Sequence, residues 1–237
     1  MTAMTEPVLS SPGRLGRSSL SLLRLLQLAS PALPIGAFAY SQGLEPAVSA
    51  GLVRDEATAG AWLLGLLAGP LAHQDLPIFA RLYRAQADGD PGAAARWDAF
   101  LLAGRPTSEL QAEDRHLGAA LARVLVTLGL PAEAPSGAAS TFAGQLARAT
   151  VHYDVDLDTA LATFAFMWAE AQTSAAVRLV PLGQSAGVRI LARAASAIPA
   201  TVDGALALGD DELGGAAPGL ALLSAAHETQ YSRLFRS

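Results

Sequence analysis

The four histidines are the side chains best suited to acid–base or metal chemistry, and they stand at positions 73, 116, 152 and 227. No two of them have the i, i+4 spacing by which one helix face offers two imidazoles to a metal ion. His227 is followed by Glu228, but the second histidine of a zinc-protease motif does not follow. We therefore predict that each histidine is a surface residue or faces a partner, and we predict no metal site.

The densest group of possible ligands runs from His152 to Asp158, with aspartates at 154, 156 and 158. An EF-hand loop would need a glycine and a later glutamate at fixed positions, and this segment does not supply them. Acidic residues are favoured at a helix N-terminus by the helix dipole. We interpret the aspartates as the start of a helix, and we keep a nickel contact or the active site of a helical-bundle enzyme as alternatives.

Residue types that are missing from the chain exclude several kinds of catalytic site. All sixteen basic residues are arginines, and the sequence contains neither lysine nor cysteine. A Schiff-base lysine, the lysine of a phosphate-binding P-loop, a cysteine nucleophile and a thiolate zinc site are therefore excluded. No glycine-rich phosphate loop or nucleophile elbow is present either. We predict a protein that is not an enzyme and has no resident cofactor.

Composition and charge narrow the range of partners. The 237 residues fit one large domain, and 51% of them are apolar while only 16% are charged, against about 25% in typical domains. Such a chain can bury a large core or bury surface against another protein. The net charge of -5 argues against nucleic acid, because phosphate binding needs a basic patch.

The longest apolar stretch is the nearest approach to a membrane span. Residues 159–177 carry no charge except Glu170. Because an acidic side chain in mid-span is costly, we interpret this stretch as a buried helix. No secretory signal is visible, so we expect a cytoplasmic protein without a membrane span.

Apolar residues recur at intervals of three and four, which predicts an all-α fold: a single-domain bundle of roughly ten helices. The expected helices cover 20–29, 41–51, 56–69, 71–87, 93–103, 107–128, 141–150, 157–179 and 184–208, with a short one after residue 209. The first should be buried on most sides, since leucines surround a narrow polar arc. Asp55 should cap the third helix, and Ser108 with Gln111 has the spacing of a capping box.

Prolines are expected to interrupt this helical pattern. Pro70 should stop one helix, Pro77 should bend the next, and Pro199 should strain the last long helix. The resulting organisation is a flexible arm over 1–18, a helical domain over 19–208, a linker with a short helix over 209–226, and a tail over 227–237.

The tail has the composition of a binding segment. Tyr231, Leu234 and Phe235 are apolar anchors, and Arg233 and Arg236 can pair with carboxylates through two hydrogen bonds. Tyrosine and arginine are enriched at the centres of interfaces. A segment too short to fold alone can become ordered on a partner. We therefore predict that the tail binds another protein.

Four segments, in this order, resemble the UreF family of urease accessory proteins. They are Pro-Ala-Leu-Pro-Ile-Gly-Ala-Phe-Ala-Tyr-Ser-Gln-Gly-Leu-Glu at 31–45, Thr-Ser-Glu-Leu at 107–110, Ala-Val-Arg-Leu-Val-Pro-Leu-Gly-Gln at 176–184, and the tail, ending Tyr-Ser-Arg-Leu-Phe-Arg-Ser. The similarity runs from Leu22 to Ser237, and its first and last segments are the most specific.

The resemblance implies an all-helical homodimer that forms a complex with the accessory protein UreD or UreH and the GTPase UreG. That complex delivers nickel to apo-urease, where a carbamylated lysine bridges two nickel ions. The family is described as a scaffold and a possible regulator of the GTPase, and it is not itself a hydrolase.

The resemblance also implies which residues bind partners. By matching position, Tyr40, Ser41, Gln42 and Glu45 line a functional surface, and the last five residues dock on UreD/UreH. The full predicted set is Tyr40, Ser41, Gln42, Glu45, Pro181, Gly183, Gln184, His227, Glu228, Tyr231, Arg233, Leu234, Phe235, Arg236 and Ser237.

Two other functions stay open at this point. The chain could activate the GTPase by supplying an arginine finger, with Arg178 or Arg233 as the candidate; such a residue can add ~10³–10⁵ in rate. It could also be an enzyme on a helical bundle, with His152 and the aspartates as its site. A scaffold is expected to show an apolar patch and a mobile tail, whereas an enzyme is expected to show a concave pocket with perturbed ionisable groups.

Overall fold

The structure is a computed structural model, and it describes residues 17–132, 140–215 and 217–237, with side chains from residue 19 onward. Nearly all of the predicted arm, 1–18, and most of the predicted loop, 131–140, lie outside the described residues. Predictions for those two segments are therefore not addressed.

The described chain forms ten α-helices and no β-strand, which confirms the all-α prediction. They are α1 (Arg17–Leu28), α2 (Leu44–Ser49), α3 (Glu56–Leu66), α4 (Leu76–Ala87), α5 (Pro91–Ala103), α6 (Ser108–Thr127), α7 (Phe142–His152), α8 (Leu157–Leu179), α9 (Gln184–Ala207) and α10 (Pro218–Glu228). Short 3-10 turns lie at Ala37–Ala39 and Asp210–Glu212, and a wide-turned segment, Leu67–Asp75, joins α3 to α4.

Side-chain caps explain where several helices begin. Asp55 accepts from the Thr58 amide at 2.8 Å, which confirms it as the cap of α3. Asp156 accepts from the Thr159 amide at 2.9 Å at the start of α8, so the interpretation of the aspartate run as a helix start is confirmed there. The predicted capping box of Ser108 and Gln111 is wrong, because Thr107 is the cap of α6.

The bend between α3 and α4 falls at Gly69 rather than at the predicted Pro77. Gly69 has non-helical dihedrals (φ -95°, ψ -107°), since the residue before a proline is kept out of the α region and Pro70 follows it. Pro77 lies in the first turn of α4, where its missing N–H breaks no helical hydrogen bond. Pro199 is accommodated inside α9.

Two apolar clusters form the core, and α8 contributes to both. The larger cluster contains α4 and α7, and Phe79 of α4 stacks on Phe164 of α8 with ring centroids 5.0 Å apart. The smaller one joins α2, α3 and α9 and includes Phe235 of the tail. The apolar stretch over 159–177 is thus part of a packed helix, as predicted. Among the described residues, α9 is the one helix that is long enough and apolar enough to span a membrane, by length and composition alone.

Helix α1 is less buried than its sequence predicts. Of the side chains described in α1, from residue 19 onward, only Leu25 and Leu28 are buried, while Leu20, Leu22, Leu23 and Leu26 are 52–58% exposed. The prediction that α1 is buried on most sides is wrong for the single chain, because the bundle covers only one side of it.

Candidate functional site

Two of the predicted partner-binding segments, 31–45 and the C-terminal tail, pack against each other. The main-chain oxygen of Ser237 accepts hydrogen bonds from the amide of Ser41 at 2.8 Å and from its hydroxyl at 2.5 Å. The amide of Arg236 donates to the main-chain oxygen of Ala39 at 2.8 Å. The tail is therefore docked on its own chain, whereas a scaffold was expected from the sequence to show a mobile tail.

The carboxylate of Glu45 fixes the conformation of the docked tail. It is only 7% exposed and accepts from the amides of Leu234 and Phe235 at 2.8 and 2.9 Å. The side-chain amide of Gln230 donates to it as well, at 3.2 Å. A buried carboxylate is costly unless it is hydrogen-bonded, so these donors stabilise the docked tail and the charge together.

Gln42 connects the tail to the centre of the bundle. Its Nε2 donates to Glu113 at 2.7 Å, and its Oε1 accepts from the Trp168 indole at 2.8 Å. The other oxygen of Glu113 accepts from the Ser237 hydroxyl at 2.7 Å. Gln42 has φ +50°, a left-handed conformation that costs a non-glycine residue roughly 1–2 kcal/mol, and the following Gly43 is also left-handed. This backbone shape directs the Gln42 side chain into the network.

His227 is fully buried beneath the tail, so its predicted surface position is wrong. Its Nδ1 lies 2.6 Å from Glu109, and its Nε2 lies 3.5 Å from Glu45, too long for a firm hydrogen bond. Arg233 donates to the other oxygen of Glu109 at 2.5 Å. His227 could meet a partner only if the tail lifts away.

The tail residues divide into an inward set and an outward set. Phe235 and Ser237 are buried with His227, whereas Tyr231, Leu234 and Arg236 are exposed. Glu228 is held at the start of α6, where it accepts from the amide and hydroxyl of Ser108 at 3.0 and 2.6 Å. The inward set holds the tail in place, and the outward set is left on the surface.

Both candidate arginine fingers are engaged within the chain. Arg178 lies 4.5 Å over the Phe235 ring and donates to the main-chain oxygen of Phe38 at 2.8 Å. Arg233 donates to Glu109 and to the main-chain oxygens of Gln230 and Glu228. Either side chain would have to break these contacts before it could reach another protein.

The third predicted segment lies between α8 and α9. Pro181, Gly183 and Gln184 are exposed, and Gly183 is the N-cap residue of α9. Val180, just before them, belongs to the apolar cluster that contains Phe235. The segment is thus anchored next to the core that the tail completes. The predicted set also includes Tyr40, whose hydroxyl lies 3.4 Å from Nδ1 of His116.

No three His, Asp or Glu side chains of the described residues converge as in a metal site, including those between His152 and Asp158. Asp156 is used as a cap and the His152 ring packs edge-on against Tyr153, with centroids 5.2 Å apart. The described segment therefore presents no built cation site.

Two acidic residues beneath the tail are not among the predicted site residues. Glu109 and Glu113 lie four residues apart on one face of α6, a spacing that could have drawn attention to them. Burial raises the pKa of Glu113 to about 7, although its hydrogen bonds from Ser237 and Gln42 act in the opposite direction. The network is thus held by a carboxyl group that can change charge near neutrality.

A buried ion cluster lies beside this network. Arg105 bridges Asp75 at 2.5 Å and Asp114 at 2.6 Å. Burial raises the pKa of Asp75 despite the nearby guanidinium. A cavity of about 370 Å³ adjoins both groups, with Gln42 and Trp168 also in its wall. Sequence patterns do not reveal this cavity, because its walls come from segments far apart in the chain.

Comparison with known proteins gives one consistent family. The sequence model of the UreF family matches residues 53–195. The urease accessory protein UreF of Pseudomonas putida is 50% identical over 223 residues, which cover 93% of this chain and 99% of the relative. The UreF proteins of Chromohalobacter salexigens (46% over 234 residues; 98% and 99% covered) and Alkalilimnicola ehrlichii (47% over 220; 90% and 95%) are similarly close. The resemblance is confirmed: the chain belongs to the UreF family of urease accessory proteins.

Proposed function

We propose that the chain is a non-enzymatic scaffold in urease maturation, and that it bridges the UreD/UreH accessory protein and the UreG GTPase during nickel insertion into apo-urease. Its family supports a role in urease maturation, and nickel is the cargo of that process. The chain acts in this proposal as a cytoplasmic homodimer.

The two-sided tail is the observation that carries the proposal. Buried contacts at Glu45 and Ser41 fix a short segment that has no helix or strand of its own beyond Glu228. The same segment leaves Tyr231, Leu234 and Arg236 exposed, which are residue types favoured in interfaces or able to anchor them. Buried polar contacts hold these exposed side chains in a fixed position, which favours recognition of another protein. We assign UreD/UreH to this surface.

Co-purification tests this assignment. Tagged chain is co-expressed with UreD/UreH and UreG, and the complex is sized by light scattering. We expect Tyr231→Ala combined with Leu234→Ala to weaken the complex at least tenfold, because the two side chains lose their contact area with the partner. The stability of the folded chain should change little, because both side chains are exposed. Phe100→Ala combined with Leu52→Ala removes an aromatic and a leucine that are also exposed, far from the tail in sequence, and serves as the matched control.

If the tail variant keeps its helicity and forms the complex at full strength, UreD/UreH does not bind at the tail surface. Loss of the complex in the control variant as well would show that the effect is not specific to the tail.

Regulation of UreG by an arginine finger is the alternative function. Neither candidate arginine is free to reach UreG without breaking contacts in its own chain. Arg178 contacts Phe38 and Phe235, and Arg233 contacts Glu109. We expect GTP hydrolysis by UreG in the complex to change less than threefold in Arg178→Ala, with Arg123→Ala as the control. A loss of ~10³-fold or more in Arg178→Ala alone would instead favour the finger.

The homodimer has support from α1. Among the side chains that the structure describes in α1, four leucines and one glutamine are exposed, a largely apolar surface of the kind that an interface buries. A second copy of the same leucine-rich face is a matching partner for it.

A further inference from the structure

The cavity beside Arg105 and Gln42 has a largely apolar wall. Its volume is about 370 Å³, and it lies between α6, α8, the start of α10 and the segment that leads from α1 to α2. The aromatic residues of its wall are Phe38, Tyr40, Phe142, Phe164 and Trp168. Cavities of this size and lining hold small organic molecules when a few polar groups fix the orientation of the ligand.

One buried oxygen in this wall lacks a hydrogen-bond donor. Gln172 is 3% exposed, and its Oε1 has no partner among the described residues. The Trp168 indole can only donate, so Gln42 must turn its own Oε1 toward that ring, at 2.8 Å. The same Gln42 oxygen accepts from Gln172 Nε2 at 3.4 Å, which fixes the remaining Gln172 atom as the oxygen. An unmatched buried acceptor is costly, and a ligand that donates to it removes that cost.

The charged groups of the wall are mostly acidic. Among the described residues they are four carboxyl groups and one guanidinium: Asp75, Glu113, Asp114, Glu170 and Arg105. Arg105 is already bound to Asp75 and Asp114. Glu170 is half-buried and forms no hydrogen bond or ion pair with a described residue. Because one guanidinium cannot balance four carboxylates, the wall favours a further positive charge.

One face of α8 carries both the apolar and the polar part of the wall. Phe164, Trp168 and Gln172 stand at intervals of four residues, which places them in a row along the helix. Glu113 belongs to the polar end of that row, since its carboxylate and the Gln172 amide both contact the side-chain amide of Gln42. A ligand that matches this order has an apolar body and a head group rich in N–H donors.

An organic cation fits this wall better than a metal ion does. A metal ion needs several ligand atoms at one point, and no three His, Asp or Glu side chains of the described part of the chain converge in that way. An organic cation spreads its charge over several N–H donors and is attracted to aromatic faces such as that of Trp168.

We propose that this cavity is a binding site for a small organic cation of the ammonium or amidinium class. The head group donates to Gln172 Oε1 and lies beside the Glu113 carboxylate, and the apolar body packs along Phe164 and Trp168. The site does not depend on the proposed scaffold function, so a failure of binding leaves that function untouched. Because Glu113 also accepts from the Ser237 hydroxyl, the bound cation lies next to the network that holds the tail.

Calorimetric titration of the full chain with benzamidine tests the site. Benzamidine is cationic at neutral pH and joins a phenyl ring to a planar head group with N–H donors, whereas benzamide has almost the same shape without the charge. We expect saturable binding of one benzamidine per chain, with benzamide at least tenfold weaker because it cannot balance the carboxylates. The absence of saturable benzamidine binding up to about 10 mM overturns the proposal, and so does equal affinity for the two compounds.

Two substitutions locate the bound cation. Gln172→Leu should weaken benzamidine at least tenfold without lowering the melting temperature of the empty chain, since it removes an acceptor that has no donor. Glu170→Gln should reduce the preference for benzamidine over benzamide at least threefold, whereas Asp203→Asn, an exposed carboxylate of α9 outside the wall, should not change it. Benzamidine affinity that is unchanged in both wall variants places the binding elsewhere and overturns the site. If Gln172→Leu does not fold, Glu170→Gln and its control still decide.

Discussion

At the residue scale, the tail is held by hydrogen bonds to carboxylates more than by apolar burial. Phe235 is its one buried aromatic side chain, whereas Glu45 alone accepts from two tail amides and one side-chain amide. Hydrogen bonds to a charged group contribute about 1.5–3 kcal/mol each. The position of the tail is therefore sensitive to the loss of a single charge.

Glu45→Gln tests this sensitivity. The amide keeps the size of the side chain, but its NH₂ group faces one of the two amides that Glu45 accepts from. We expect the tail to undock more often, with protection of the Leu234 and Phe235 amides falling at least tenfold in hydrogen exchange at fixed pH. Asp88→Asn, an exposed carboxylate in the turn after α4, is the matched control. Unchanged protection at both amides would show that Glu45 does not hold the tail.

At the element scale, local patterns were sufficient for most of the fold. The predicted starts of α3 and α8 agree with the structure because a cap is a contact between residues three apart, Asp55 with Thr58 and Asp156 with Thr159. The buried stripe of α8 follows from the same short-range periodicity. The choice between Thr107 and Ser108 failed because Ser108 is engaged by Glu228, 120 residues away.

The sequence singled out two segments of the candidate site, but it did not indicate how they are arranged. The segments around Tyr40 and around Arg233 were both singled out, but nothing local indicates that Ser41 meets Ser237 or that His227 is buried under the tail. These contacts depend on how α10 returns across α2 and α6. The acidic partners on α6 were missed for the same reason, since a glutamate on a helix has the same pattern whether it faces water or a buried histidine.

At the scale of the whole molecule, the described residues leave the leucine face of α1 uncovered. The exposed leucines of α1 stand on the side opposite Leu25 and Leu28, which pack into the core. A low charge content allows such a face to be buried between chains, and symmetric pairing of identical patches is the commonest way in which soluble proteins assemble.

Charge reversal on this face tests the proposed homodimer. We expect Leu22→Glu combined with Leu26→Glu to convert the dimer to a monomer in light scattering, because four like-charged glutamates would meet across a two-fold interface. The helical content should stay unchanged, since both side chains are exposed in the single chain. Leu52→Glu places the same substitution on a leucine that is 58% exposed elsewhere, and it should remain dimeric. If the α1 variant remains a dimer, the self-association surface does not lie on α1. If that dimer has also lost UreD/UreH binding, the leucines contact the partner instead.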